Sequence, residues 1–408
     1  MKQKRALIIG INYAPEISGS APYTSGLAEF LIDLGFKVEA YVGIPHYPEW
    51  KVPKAFKYRL RYLEKNNDVR VVHHRHYVPR RQTTVRRVFW EASYLFNVII
   101  RIPRRPDIVF CSVPNLAAGI LGVLYSKIFR IPLLVVVQDL VSQGFVGTGL
   151  SNREVVAKVV LKIERFILNN SDRVLIASRG FRNSLLRIGI EENKILDFPN
   201  WSRINKSSLS KSQARSLFNL SESKFIMLHT GNLGLKQDLL SLERIAKNLK
   251  DDVNFLLLVV GDGNQKQKIL DASRKYVNLV YLTPVSDDQY PHLLAAADVL
   301  LVVEKSEVAD MSLPSKLTSY LASERPILGI CNRNSATARE IQRSKSGMTL
   351  DSINSDTITQ VIKMLREQPW ICKQFGSSAL RFAQKELSSS SAKKRLSKYL
   401  ATLQIDFR

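Results

Sequence analysis

Residues 225–263 read FIMLHTGNLGLKQDLLSLERIAKNLKDDVNFLLLVVGDG. FIMLHTG and NFLLLVVG are continuous apolar runs of the kind formed by strands covered on both faces, and the segment between them has a helical pattern. A strand, a helix and a second buried strand make the repeating unit of a parallel sheet. The cycle continues downstream through VNLVYLT, DVLLVV and RPILGI, each followed by a helical stretch. Upstream it runs separately through ALIIGI, KVEAYVG, VRVVHH, DIVFCSV, PLLVVVQ and DRVLIAS. Two doubly wound, Rossmann-like α/β domains follow, and a chain of 408 residues suits two cores better than one. The break is expected at Phe198-Pro199-Asn200-Trp201, ahead of the polar segment 202–216. This gives domains 1–200 and 201–385, with a basic helical tail over 386–408.

Hydrophobic residues at 45% and charged residues at 24% exclude a disordered or fibrous chain. Cys111, Cys331 and Cys372 are odd in number and far apart, which argues against a disulfide framework or a CxxC metal site and suits a reducing compartment. The apolar run Ala6 to Ile11 is too short for a signal segment. The longest uncharged stretch, Ile108 to Ser126, is split by Pro114-Asn115 and reads as a strand and a buried helix, not a membrane span. A soluble or peripherally attached protein is expected. Sixty Lys and Arg against 36 Asp and Glu leave a net charge of +24, which points to an anionic partner.

Doubly wound sheets hold ligands beyond the carboxyl ends of their strands, and two such domains facing each other would form a cleft. Thr230 to Lys236 (TGNLGLK) lies after a strand and before a helix, and a glycine-flanked turn with one cation is a reasonable diphosphate cradle. Gly19, between Ser18 and Ser20, lets backbone amides approach a phosphate or simply makes a turn. Gly261-Asp262-Gly263 ends a strand with ordinary turn chemistry. Neither a GxGxxG fingerprint nor a Walker lysine is present. His73, His74 and His76 have no carboxylate or cysteine nearby to complete a metal site, so no metal is expected.

Between Arg70 and Arg105 stand nine arginines and a single acid, Glu91, interleaved with Tyr77, Phe89, Trp90, Tyr94 and Phe96. Arg80, Arg81, Arg86 and Arg87 with Trp90 fit an interfacial segment, the arginines meeting lipid phosphate while the ring enters the acyl boundary. The alternative is a solvated basic face. No helix-turn-helix, zinc finger or RNP-like stretch supports nucleic acid.

Taken in order, YAPEISGSAPYTSGLAEFLIDLGFKV, GIPHYPEW, RPDIVFCSVPNLAAG, VVQDL, ASRGFRNSLLRIGI with FPNW, HTGNLGLKQDL, VVGDG, LLAAADVLL and LPSKLTSYLASERPILG span nearly the whole chain. Their collinearity resembles a family 4 glycosyltransferase of GT-B fold, closest to bacterial exopolysaccharide enzymes of the colanic-acid type. The resemblance implies metal-independent, hexosyltransferase-type transfer from a nucleotide sugar with retention at the anomeric carbon. The nucleotide sugar is a substrate, and no cofactor is implied. The C-terminal domain would hold the donor and the N-terminal domain a glycan or polyprenyl-linked acceptor, at the cytoplasmic face of a membrane with anionic lipid. By position, Lys236 is the phosphate cation and Gly19 lies beside the diphosphate. Asn232 stands where many relatives have Arg, and Gly261 falls within the donor set. Ser315 and Lys316 of LPSKL would reach phosphate or sugar oxygens, and Ser319 replaces the glutamate that holds ribose in relatives. His46 and Tyr47 of PHYP would face the acceptor.

The family's glutamate pair is missing. Glu307 and Asp310 are the carboxylates nearest its first member, of which Asp310 is carried as catalytic. Where relatives often have a histidine before QD, this chain has Val135-Val136-Val137, leaving Gln138 and the second candidate catalytic carboxylate, Asp139. A nucleotide-sugar epimerase on the same fold, or a degenerate binding subunit of a polysaccharide complex, are the alternative readings.

Overall fold

The computed structural model describes residues 3–17, 19–47, 49–81, 83–141, 151–234, 237–305, 314–351 and 355–403. Its strands are β1 (Arg5–Gly10), β2 (Lys37–Gly43), β3 (Arg61–Asn66), β4 (Val69–His74), β5 (Ile108–Val113), β6 (Leu133–Val137), β7 (Arg173–Ile176), β8 (Ile195–Asp197), β9 (Phe225–Asn232), β10 (Phe255–Asp262), β11 (Leu279–Leu282), β12 (Val299–Val303), β13 (Ile327–Ile330) and β14 (Gly347–Leu350). They form two compact units, one of residues 1–199 with 393–408 and the other of 200–392.

In the first unit the strand order is β3-β4-β2-β1-β5-β6-β7-β8. Every pairing is parallel except β3 with β4. The chain builds outward from β1 on one side and then crosses to β5 on the other, so the strand order switches between β1 and β5. Leu7, Ile9, Val109, Cys111, Val135 and Val137 form one buried face of the sheet, packed by Tyr94, Val98 and Leu121. β3 (RYLEKN) is a half-polar edge strand with exposed Leu63, which explains why apolar runs do not announce it. The tail helix Ser389–Ala401 ties to this unit from Lys393 onward. Lys393 pairs with Asp33 at 2.9 Å, and the Tyr399 hydroxyl donates to the Asp197 carbonyl at 2.7 Å.

The second unit is wholly parallel with order β11-β10-β9-β12-β13-β14, switching between β9 and β12. Alternate residues of the same strands feed two cores. Met227, Leu257, Val259 and Leu301 pack with Ile245, Ile269 and Ile358 on one face. Ile226, Leu228, Leu258 and Val302 pack with Leu293, Leu317 and Tyr320 on the other. At the opposite end of the strands Arg215 is buried, bonded to Asp298 at 2.6 Å and to the carbonyls of Ala296 and Glu222 at 3.0 and 2.7 Å. Asp298 also accepts from the Ile226 amide at 2.7 Å, so this buried ion pair has its hydrogen bonds filled.

Candidate active site

β9 ends in His229-Thr230-Gly231-Asn232, at the switch point beside β12. The buried His229 donates from Nδ1 to the Leu301 carbonyl at 3.0 Å, which leaves Nε2 to accept from the Lys316 ammonium at 3.2 Å. Lys316 also donates to Gln237 Oε1 at 3.1 Å. Burial drives the Lys316 ammonium down to about 7, with the Glu304 carboxylate pulling the other way. Burial, and then the lysine charge, hold His229 well below its ordinary value. The site therefore contains a neutral imidazole and a half-buried amine that changes charge near neutral pH.

Glycine is required where this lysine lies. Gly231 has φ +112°, and a Cβ there would stand 3.3 Å from Lys316 Cε. Tyr320, on the helix Ser315–Ala322 that carries Lys316, accepts from the Thr230 amide at 2.8 Å and locks that helix to the strand end. Ser315 is exposed at the first turn of the helix, and Ser319 lies half-buried one turn on. Asn232 is exposed at the end of β9, its side chain beside Gly234 and Gly263. Gly261 has a structural explanation: it pairs with Gly231, and a Cβ would fall 1.9 Å from the Gly231 carbonyl oxygen. Lys236 and Asp310 lie outside the described residues.

In the first unit the loops after β1 and β2 are joined by Glu16. Its Oε1 accepts from the amides of His46 and Tyr47 at 2.8 and 2.9 Å, and Oε2 from Asn12 Nδ2 at 2.7 Å. Burial opposes its charge, but His46, Asn12 and the Tyr47 amide together hold the carboxyl below its usual value. His46 is buried, with Nδ1 3.0 Å from the Ile44 carbonyl and 3.2 Å from Glu16. Its ring is surrounded by His76, Trp50 and Trp90 at centroid distances of 4.8, 5.3 and 5.7 Å. Tyr47 covers Gly19, whose φ is +66° and where a Cβ would meet the Tyr47 ring at 3.4 Å. Asp139 is half-buried just beyond β6, its Oδ1 accepting from the Leu140 amide at 3.0 Å.

Between β1 and β5 a small cavity is lined by Asn12, Ser20, Arg87, Ser112 and Asn115. Beside it Glu91 accepts from Asn115 Nδ2 and the Ala117 amide, both at 2.8 Å. Burial pushes its carboxyl up to about 7 despite those bonds. His73, His74 and His76 are all buried, their Nδ1 atoms at backbone carbonyls. The expectation that no carboxylate lies near them fails for His73, whose Nε2 stands 3.2 Å from Glu64 Oε2 because β3 pairs with β4. Among the described residues no group of three metal-ligating side chains is assembled.

The membrane expectation needs one correction. Trp90 is 7% exposed and packs in the core with Tyr94 and Val98, so it is unavailable for insertion. A helical period puts residues 90, 94 and 98 on the inner face of Thr84–Ile99. The outer face instead shows Val85, Val88, Phe89, Phe96 and Ile99. Arg80, Arg81, Arg86 and Arg87 are exposed near its start, and Arg87 also reaches the β1–β5 cavity. No helix among the described residues is long and apolar enough to cross a membrane. Four residues of these sites escaped the sequence reading: Glu16, Glu91, His229 and Glu304. Of these only His229, a polar residue inside an otherwise apolar strand run, carries a local signal.

Comparison with known proteins agrees with this architecture. Residues 18–201 match the Glycosyl transferase 4-like domain. The chain is 30% identical over 331 residues to WcaI of Escherichia coli (strain K12), whose name assigns it to glycosyl transfer in colanic acid biosynthesis. That match covers 78% of this chain and 81% of WcaI. Sucrose-phosphate synthase from Thermosynechococcus elongatus superposes with a TM-score of 0.74 at 14% identity, over 98% of this chain and 99% of that one. Anabaena HepE, solved in complex with UDP, gives 0.68 at 14% identity, over 98% and 100%. The parallel sheets, their switch points and the 30% match together establish that the chain belongs to the family 4 glycosyltransferases of GT-B fold, alongside the colanic-acid-type enzymes.

Proposed function

We propose that the protein is a retaining, metal-independent hexosyltransferase that moves a sugar from a nucleotide-sugar donor to a lipid-linked glycan acceptor in cell-surface or exopolysaccharide assembly. One observation carries this reading: the Lys316 ammonium lies over the Gly231 turn, held by His229 and Gln237 at a sheet switch point. On arrival of a diphosphate, an amine with a pKa of about 7 takes up a proton and becomes the counter-charge for the leaving group. The bond from the anomeric carbon to the diphosphate oxygen breaks with its electron pair remaining on the diphosphate. The acceptor oxygen bonds to the same face of that carbon, and its proton passes to the departing phosphate. Ser315, Ser319 and Asn232 are donor contacts in this account, Lys236 a second cation, and Asp139 and Asp310 the candidate carboxylates.

The acceptor belongs to the first unit, where Glu16 fixes the loop carrying His46 and Tyr47. His46 positions that loop from inside an aromatic cage. The exposed apolar face of Thr84–Ile99, with Arg80, Arg81 and Arg86 beside it, supports attachment to the inner, anionic face of a membrane. The reaction class is tested with a panel of nucleotide sugars and membrane-extracted acceptor, following the anomeric proton of the product by NMR. Retained configuration with one donor is expected. Inverted configuration, or donor binding without transfer to any acceptor in the extract, would overturn the proposal.

A further inference from the structure

The amino ends of the strands in the second unit enclose a cavity of about 450 Å³ that the transfer reaction does not use. This size lies within the range of small-molecule sites. Phe225, Pro326 and Leu365 give it an apolar surface, while Asp298, Glu324, Arg325, Arg366, Lys373 and Ser377 supply polar groups. Its charge is unbalanced. Asp298 is shared by Lys211 at 2.8 Å and Arg215 at 2.6 Å, Glu324 is paired with Lys206, and Arg366 meets Asp252 at 2.7 Å. Arg325 and Lys373 enter none of these pairs. Arg325 donates one bond to the Ala295 carbonyl at 2.6 Å, and its Nε is buried without a hydrogen-bond partner. Cys372, Lys373 and Ser377 line the cavity from the first turns of the helix Pro369–Glu386, whose positive dipole end lies there.

We propose that this cavity binds a sugar phosphate at a site separate from the donor's. Arg325 and Lys373 meet the phosphate through their charges at the cavity wall. The Glu324 carboxylate, paired with Lys206 alone, keeps acceptor capacity for sugar hydroxyls, which a bare phosphate would leave unused. The apolar surface receives the carbon face of the ring. The helix Ser315–Ala322 has Lys316 in its first turn and leads directly into Glu324 and Arg325, so one short element joins the two sites. Gly376 clamps its far end, since a Cβ there would stand 2.4 Å from the Glu324 carbonyl oxygen.

The test is calorimetric titration of the full chain with glucose 1-phosphate, glucose 6-phosphate and inorganic phosphate, each with and without saturating UDP. At least one ester should bind saturably in the presence of UDP. Lys373→Glu, at an exposed position, should weaken it about tenfold or more, and Arg325→Gln likewise. Inorganic phosphate should bind more weakly than the ester. No ester binding up to about 10 mM, wild-type affinity in both variants, or affinity no better than that of free phosphate would overturn the assignment. Displacement of the ester by UDP would place it in the donor site and also overturn it, while leaving the transferase reading intact.

Discussion

Replacing Lys316 by Met keeps the length of the side chain and removes its charge. The lost bonds to His229 and Gln237 cost much the same at every pH, so the informative quantity is how the stability gap changes with pH. The folded pKa of Lys316, about 7, lies below the unfolded value of about 10.4. Between those values the unfolded chain binds more protons, so wild-type stability rises with pH through this window relative to the mutant. From pH 7 to 9 the ceiling is about 1.4 kcal/mol per unit, and half-burial reduces the expected total to about 1–1.5 kcal/mol. For a unit of this size that corresponds to about 3–5 °C in melting temperature. Calorimetric scans of both proteins at pH 6, 7, 8 and 9 measure it, with each expected to show the wild type gaining on Lys316→Met above pH 7. Saturating nucleoside diphosphate should flatten the wild-type slope, because a bound phosphate restores the ammonium. Parallel curves for the two proteins would show an ordinary surface lysine and refute the reasoning.

Glu16→Gln should destabilise the first unit by about 1.5–3 kcal/mol in urea, because a charged acceptor of three hydrogen bonds becomes neutral. The depressed folded pKa makes this contribution complete above the ordinary glutamate range and lost as pH falls through the folded value, so the gap should close in acid. Arg215→Met should cost the second unit about 3 kcal/mol, and adding Asp298→Asn should recover part of it; a loss under about 1 kcal/mol would show the pair to be incidental. Replacing Arg80, Arg81, Arg86 and Arg87 with Gln should release the protein from anionic vesicles at low salt, each arginine being worth about 1 kcal/mol there. Phe89→Ser with Phe96→Ser should abolish whatever retention survives high salt, and unchanged sedimentation with vesicles would contradict both.

The strands that apolar runs reveal, from ALIIGI to RPILGI, are interior ones apart from the edge strand β11, because burial on both faces demands a continuous apolar stretch. β3, β8 and β14 escaped that reading as edge or very short strands whose side chains face water in part. The glycine turn at 231 and the LPSKL helix were legible as local patterns. Their meeting was not, since Lys316 reaches Gly231 only through the register of two elements more than eighty residues apart. Glu16 likewise joins two loops across thirty residues, and a single carboxylate in a loop gives no sign of the amides it will find. Trp90 was misread because arginines on either side suggest an interface, whereas its spacing to Tyr94 and Val98 decides which way it faces.

The central claim is that Lys316 supplies the charge that lets a nucleoside diphosphate leave without metal. It is tested by measuring nucleoside diphosphate release from the preferred donor, in EDTA with acceptor, by wild type and by Lys316→Met. The account predicts turnover by the wild type in EDTA and a loss of about a hundredfold in kcat/KM for the variant, the scale of removing one transition-state contact of about 2.7 kcal/mol. Wild-type turnover that appears only when a divalent cation is restored, or a variant within threefold of wild type, would contradict it.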